Sequence, residues 1–153
     1  MLEWGIIKNK LYYLDGSLRD ILVFNMNNEE WYKWINHVNI MHKVKFKNYY
    51  NEVCLDYIDY NLLKSIWGND GESVHYYALI NLGKVIVNCY FNSSDSLDQD
   101  ISPIQIKSIL EHEELVKYLQ DISFLLNKEV YFTEEMNENA ILMKVKKDKV
   151  DVR

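Results

Sequence analysis

The string Asp15-Gly16-Ser17-Leu18-Arg19-Asp20-Ile21 sets one arginine between two carboxylates. A guanidinium held in this way presents a planar fork of donors suited to a carboxylate or a phosphate. The same residues also have a structural reading, in which Asp15-Gly16 makes a turn and Arg19 bridges a local acid or backbone carbonyls. That reading is preferred, so Asp15, Arg19 and Asp20 form a candidate set that is structural or anion-binding.

Other chemistry finds little support. His37 and His42 are five residues apart across an expected helix end, whereas ligating pairs sit three or four apart on a helix or two apart on a strand. His75 stands alone, and His112 lies among Glu111, Glu113 and Glu114, where successive helical residues point in different directions. No metal is expected. There is no Gly-X-Ser-X-Gly elbow, and neither Cys54 nor Cys89 has a basic neighbour in sequence to lower its pKa. Both cysteines read as buried, reduced thiols in strand-like segments. The five glycines never fall at phosphate-loop spacing. The pair Glu134-Glu135 reads as solvent-facing residues that start a helix after a strand. The expectation is therefore a protein that is not an enzyme and carries no cofactor.

Charge is more informative. Acids outnumber bases 23 to 17, a net −6, which disfavours nucleic acid as a partner because phosphate binding needs a basic footprint. The excess is uneven: between residues 92 and 138 eleven acids face three lysines, a local −8 that leaves +2 for the remainder. Such asymmetry speeds association with a basic partner. The candidate protein-binding residues are Asp95, Asp98, Asp100, Glu111, Glu113 and Glu114, with Glu134, Glu135 and Glu138 secondary. The plain alternative is a solvated acidic face. Fifteen of the 17 bases are lysine, and there are only two alanines, a bias that reads as AT-rich coding. The twelve tyrosines are then weak support for the second functional reading, a ligand-sensing or regulatory module with a tyrosine-lined small-molecule pocket.

The elements that must position these residues fit one domain over 1–153. No basic-then-apolar leader opens the chain, and runs such as 85–91 are far shorter than the roughly 20 residues of a membrane span. A soluble, cytoplasmic protein with no membrane partner is expected. Residues 6–13 and 18–24 read as strands joined by an Asp15-Gly16 hairpin turn. Asn27 to Glu30 opens a helix over 29–38, with Trp31, Trp34, Ile35 and Val38 on one stripe. Alternation predicts a strand at 43–47, and 52–57 reads as another. A short helix over 59–67 closes at Gly68-Asn69-Asp70-Gly71. Residues 74–81 and 84–91 form the strongest strand pair, and 92–99 reads as a loop. Ser102-Pro103 signals a helix start, with the longer helix over 111–127 and strands at 129–132 and 140–145. The fold class is α+β, with a mainly antiparallel sheet.

The Asp15 to Ile21 box, followed by Trp31 in a helix, resembles the opening of a family of small uncharacterised bacterial proteins. Later strings are similar in the same order: Val87-Asn88-Cys89-Tyr90-Phe91, then Asp98 to Pro103, then Leu119-Gln120-Asp121-Ile122 leading to Asn127 through Glu135. The chain departs from that family at Glu135-Met136, and its Asp98 to Asp100 segment is less acidic. The resemblance implies no catalytic residues. Small acidic proteins of this type resemble immunity proteins of polymorphic or contact-dependent toxin systems. By that analogy the protein neutralises a cognate basic toxin domain.

Overall fold

A computed structural model describes residues 2–68 and 71–153. Among the described residues nine strands form one antiparallel sheet, and four helices accompany it. The chain opens with α1 (Trp4–Leu11), followed by β1 (Arg19–Val23). Next comes α2 (Asn28–Met41), started by a reciprocal cap in which Asn27 and Glu30 satisfy each other's backbone amides. Strands β2 (Lys43–Asn48) and β3 (Cys54–Leu55) precede α3 (Tyr60–Ile66), which Asp59 caps. A 3-10 turn (Glu72–His75) leads into β4 (Tyr76–Asn81), β5 (Ile86–Tyr90) and β6 (Leu97–Ile101). After a second 3-10 turn (Pro103–Gln105), α4 (Ile109–Leu126) crosses to β7 (Val130–Glu134), β8 (Asn137–Lys146) and β9 (Lys149–Val152).

The sheet order is β3-β2-β4-β5-β6-β1-β7-β8-β9, so the first strand in the chain lies near the centre. Alternation divides the sheet into two unlike faces. Val44, Phe46, Ala78, Ile80, Val87, Cys89, Leu97, Ile101, Ile21, Val23 and Phe132 point to one side and are buried. There they meet the helices: Trp31, Trp34, Ile35 and Val38 of α2 with Leu115, Leu119 and Ile122 of α4 complete one core. Tyr118 of α4 donates to Gln99 Oε1 of β6, which fixes the helical side of that strand. Asp98 and Asp100, flanking Gln99, therefore point to the other face.

Several expectations are corrected. Residues 6–13 are not a strand: Trp4, Ile7 and Leu11 make a helical stripe onto the core, and this packing overrides β propensity. Asp15-Gly16 thus joins a helix to a strand, with Gly16 at φ +84°, where a side chain would be strained. Cys54 is exposed on a two-residue strand, much shorter than the expected 52–57, and only Cys89 is buried. The expected strand over 74–81 begins as a 3-10 turn. The loop expected over 92–99 holds the start of β6, where aspartates on the outer face hide an alternating inner face of Leu97, Gln99 and Ile101. Ser102 caps nothing with its side chain, and Pro103 starts only a single turn. Ser108 is the cap of α4, its hydroxyl accepting from Leu110 N at 3.2 Å and donating to the Glu111 carboxylate. Glu134-Glu135 lie at a hairpin between β7 and β8, not at a helix start. The expected closure at Gly68 to Gly71 includes Asn69 and Asp70, which lie outside the described residues.

Candidate functional site

The Asp15 to Ile21 box forms a local structural knot. Arg19 is fully buried, and its Nε donates to Leu11 O at 2.9 Å. Its Nη1 donates to Ser17 Oγ at 2.8 Å and Leu18 O at 3.0 Å, while Nη2 donates to Tyr13 O. The Tyr13 ring lies 4.2 Å from the guanidinium carbon. Asp15 stands 3.6 Å away but is half exposed, and Ser17 donates to it from both its amide and its hydroxyl. These bonds from Ser17 hold the Asp15 carboxyl below its ordinary pKa. Arg19 thus ties the end of α1 to the start of β1, and its fork is occupied by the protein's own carbonyls.

Asp20, the neighbour of Arg19, points the opposite way, onto the face without helices. Registers define two rows of side chains across that face. One row runs Lys47, Tyr77, Tyr90, Asp98, Leu22 over β2, β4, β5, β6 and β1. The next runs Lys45, Leu79, Asn88, Asp100, Asp20 over the same strands. Asp20 and Asp100 are direct cross-strand partners, a placement that like charges disfavour. Asp100 accepts from Asn88 Nδ2 and Tyr90 OH, each at 2.9 Å. Asp98 accepts from Ser96 Oγ at 3.1 Å, and Asp20 accepts from Met136 N at 2.9 Å. Among the described residues none of these three carboxylates has an ion-pair partner.

Partial burial, reinforced by neighbouring acids, raises the pKa of Asp20, Asp98 and Asp100 above the ordinary value. The Tyr90 phenol is also pushed up, first by burial and then by Asp100. The β7–β8 hairpin walls one side, so Asp20, Leu22, Tyr90, Asp98, Met136 and Glu138 line a groove of about 500 Å³. A second hollow of about 600 Å³ lies at the lysine end, over Leu79 and Ile86, with Lys43, Lys45 and Cys54 at its sides. Tyr90 is the one tyrosine lining either hollow.

The remaining acidic candidates are scattered. Glu135 accepts from Leu18 N, and Glu134 accepts from Tyr13 OH. Glu111 is bonded by the Ser108 hydroxyl, which lowers its pKa. Glu114 accepts from the amides of Lys84 and Val85 and closes the β4–β5 turn at Gly83. Glu113 is exposed on α4 beside Ile7 and Val150. Asp95 lies in the loop whose carbonyl receives Met26 N. The acidic run in the sequence is therefore divided between the two sides of the sheet. Only Asp98, Asp100 and Glu138 of that run line the groove, joined there by Asp20 from the arginine box.

No protein-family model, curated protein or solved structure matches the chain. Its possible chemistry rests on the site alone. His37 and His42 do meet, with ring centroids 6.4 Å apart, because the chain reverses where α2 ends. Even so, among the described residues no group of three or more His, Cys, Asp or Glu is placed to hold a metal ion. No helix there is long and apolar enough to cross a membrane. The sequence reading missed the pairing of Asp20 with Asp100 and the aromatic row beside it. The aspartates at 98 and 100, set between Leu97 and Ile101 at strand spacing, were the signal that could have revealed them.

Proposed function

We propose that this chain is a non-enzymatic protein-binding protein, and that the helix-free face of its sheet receives a basic partner. The partner class that fits is the phosphate-binding surface of a toxin domain, which makes the chain a bacterial immunity protein. The observation that carries this reading is the groove of half-buried Asp20 and Asp98 and buried Asp100, which have no ion pairs among the described residues. A lysine or arginine entering it relieves the mutual repulsion and favours the ionised form of the acids. The same charges repel nucleic acid and steer a basic domain toward the face, so association slows as salt shortens their reach to about 8–10 Å.

The test is growth rescue when the chain is co-expressed with a basic toxin domain from its own host. The wild-type chain restores growth. Asp20→Asn with Asp98→Asn loses rescue although it remains folded, while Glu113→Lys, on the helical side, retains it. Full rescue by the doubly neutralised chain, or loss of rescue with Glu113→Lys alone, overturns the proposal.

A further inference from the structure

The helix-free face has an internal symmetry of charge. Across the four strands β2-β4-β5-β6, one row reads Lys47, Tyr77, Tyr90, Asp98 and the next reads Lys45, Leu79, Asn88, Asp100. Each row begins with a cation, ends with a carboxylate and holds neutral side chains between them. The three lysines 43, 45 and 47 have no ion-pair partner among the described residues, and neither do the two aspartates. A two-fold axis parallel to the strands, running between β4 and β5, turns each row end for end. It lays Lys47 over the partner's Asp98 and Lys45 over the partner's Asp100. At the centre it sets β4 of one copy over β5 of the other.

We infer that a second copy of this chain docks face to face on this surface, forming a two-fold dimer held by reciprocal lysine–aspartate pairs. The centre suits such packing. Tyr77 is already stacked by Tyr49, with ring centroids 4.3 Å apart, and Leu79 and Ile86 floor a largely apolar hollow beside it. Sheets that pack face to face keep their strands nearly aligned, as this axis requires. Closed two-fold symmetry needs one self-complementary patch, and the rows supply it. Four strands at about 4.8 Å spacing make a modest footprint, the size of a weak and salt-sensitive contact. The β7–β8 hairpin limits it on the far side, where Met136 reaches Asp20.

The dimer goes beyond the proposed function and uses part of the same face. Self-association and the basic partner are therefore mutually exclusive occupants, and the dimer holds the groove closed until a stronger cationic surface displaces it.

Sedimentation of the isolated chain tests this. The expected result is a concentration-dependent doubling of mass at about 0.01 M salt that is lost toward 1 M. Lys45→Glu with Lys47→Glu in one chain gives single-chain mass, and so does Asp98→Lys in another. Mixing the two variants restores a weaker dimer, because the reversed charges at 47 and 98 again pair while position 45 still faces Asp100. Thermal melts establish that each variant is folded, and the lysine pair suffices if Asp98→Lys is not. Single-chain mass at every salt and concentration overturns the inference. A dimer that survives salt and the lysine reversals also overturns it. The lysine variant keeps every groove carboxylate, so loss of its dimer with intact growth rescue leaves the proposed function standing.

Discussion

Arg19 is among the largest side chains that the core encloses, and it is the polar one whose removal leaves most behind. Its guanidinium satisfies the buried carbonyl of Leu11 and the partly buried carbonyls of Tyr13 and Leu18. Arg19→Ala is expected to cost about 3–5 kcal/mol in chemical denaturation, because one buried and several partly buried acceptors lose their donor at once. Arg19→Lys recovers only part of this, since an ammonium cannot reproduce the fork. Asp15→Asn costs at most about 1 kcal/mol, as befits a half-exposed pair. Asp20, one residue on, has the opposite energetics. Its carboxyl is raised above its ordinary 3.8, first by burial and then by nearby acids including Asp100. A raised acid contributes stability that is present below that value and is lost as pH rises through the folded pKa. Asp20→Asn should therefore stabilise the free protein at pH 7, by about 0.2–1 kcal/mol, the scale of a like-charge cross-strand pair. The gain disappears as acid protonates the wild-type carboxyl. Melting temperatures of both proteins across pH 3 to 7 check the sign (the pH window follows from the carboxyl range).

At the scale of elements, the sequence was most legible where one side of a segment is apolar and the other polar. The α2 stripe of Trp31, Trp34, Ile35 and Val38 and the alternation of β2 both appear where the residues place them. Local signals misled where tertiary packing decided the outcome. The Ile and Tyr residues of 6–13 favour a strand in isolation, yet Ile7 and Leu11 are buried as successive turns of α1. Aspartates 98 and 100 disfavour a strand, yet neighbours on both sides supply β6 with hydrogen-bonded partners. The candidate groove was legible in part: Asp98 and Asp100 could be singled out by charge, but their convergence with Asp20 depends on a register 80 residues apart. Helix caps offer a direct comparison between a signal that acts and one that does not. Ser108→Ala, removing a side-chain cap of α4, is expected to cost about 0.5–2 kcal/mol. Ser102→Ala removes no cap bond and should fall within about 0.5 kcal/mol of wild type. Paired denaturation curves read both.

For the whole molecule, the asymmetry of the sheet organises everything else. Helices and core occupy one side, and Arg19 and Glu114 spend their charges on closing turns. Lysines and aspartates without ion-pair partners among the described residues lie on the other side in two ordered rows. The central claim is that this ordered face, rather than net acidity, receives a cationic partner. The most direct measurement is backbone amide NMR during titration with a hexa-arginine peptide, with sites on α4 such as Glu113 and Asp121 as an internal comparison. The account predicts shifts concentrated at Asp20, Leu22, Tyr90, Asp98, Asp100 and the 136–138 hairpin, and their loss in Asp20→Asn with Asp98→Asn. Shifts spread evenly over the acidic residues of both sides, or concentrated on α4, would contradict it.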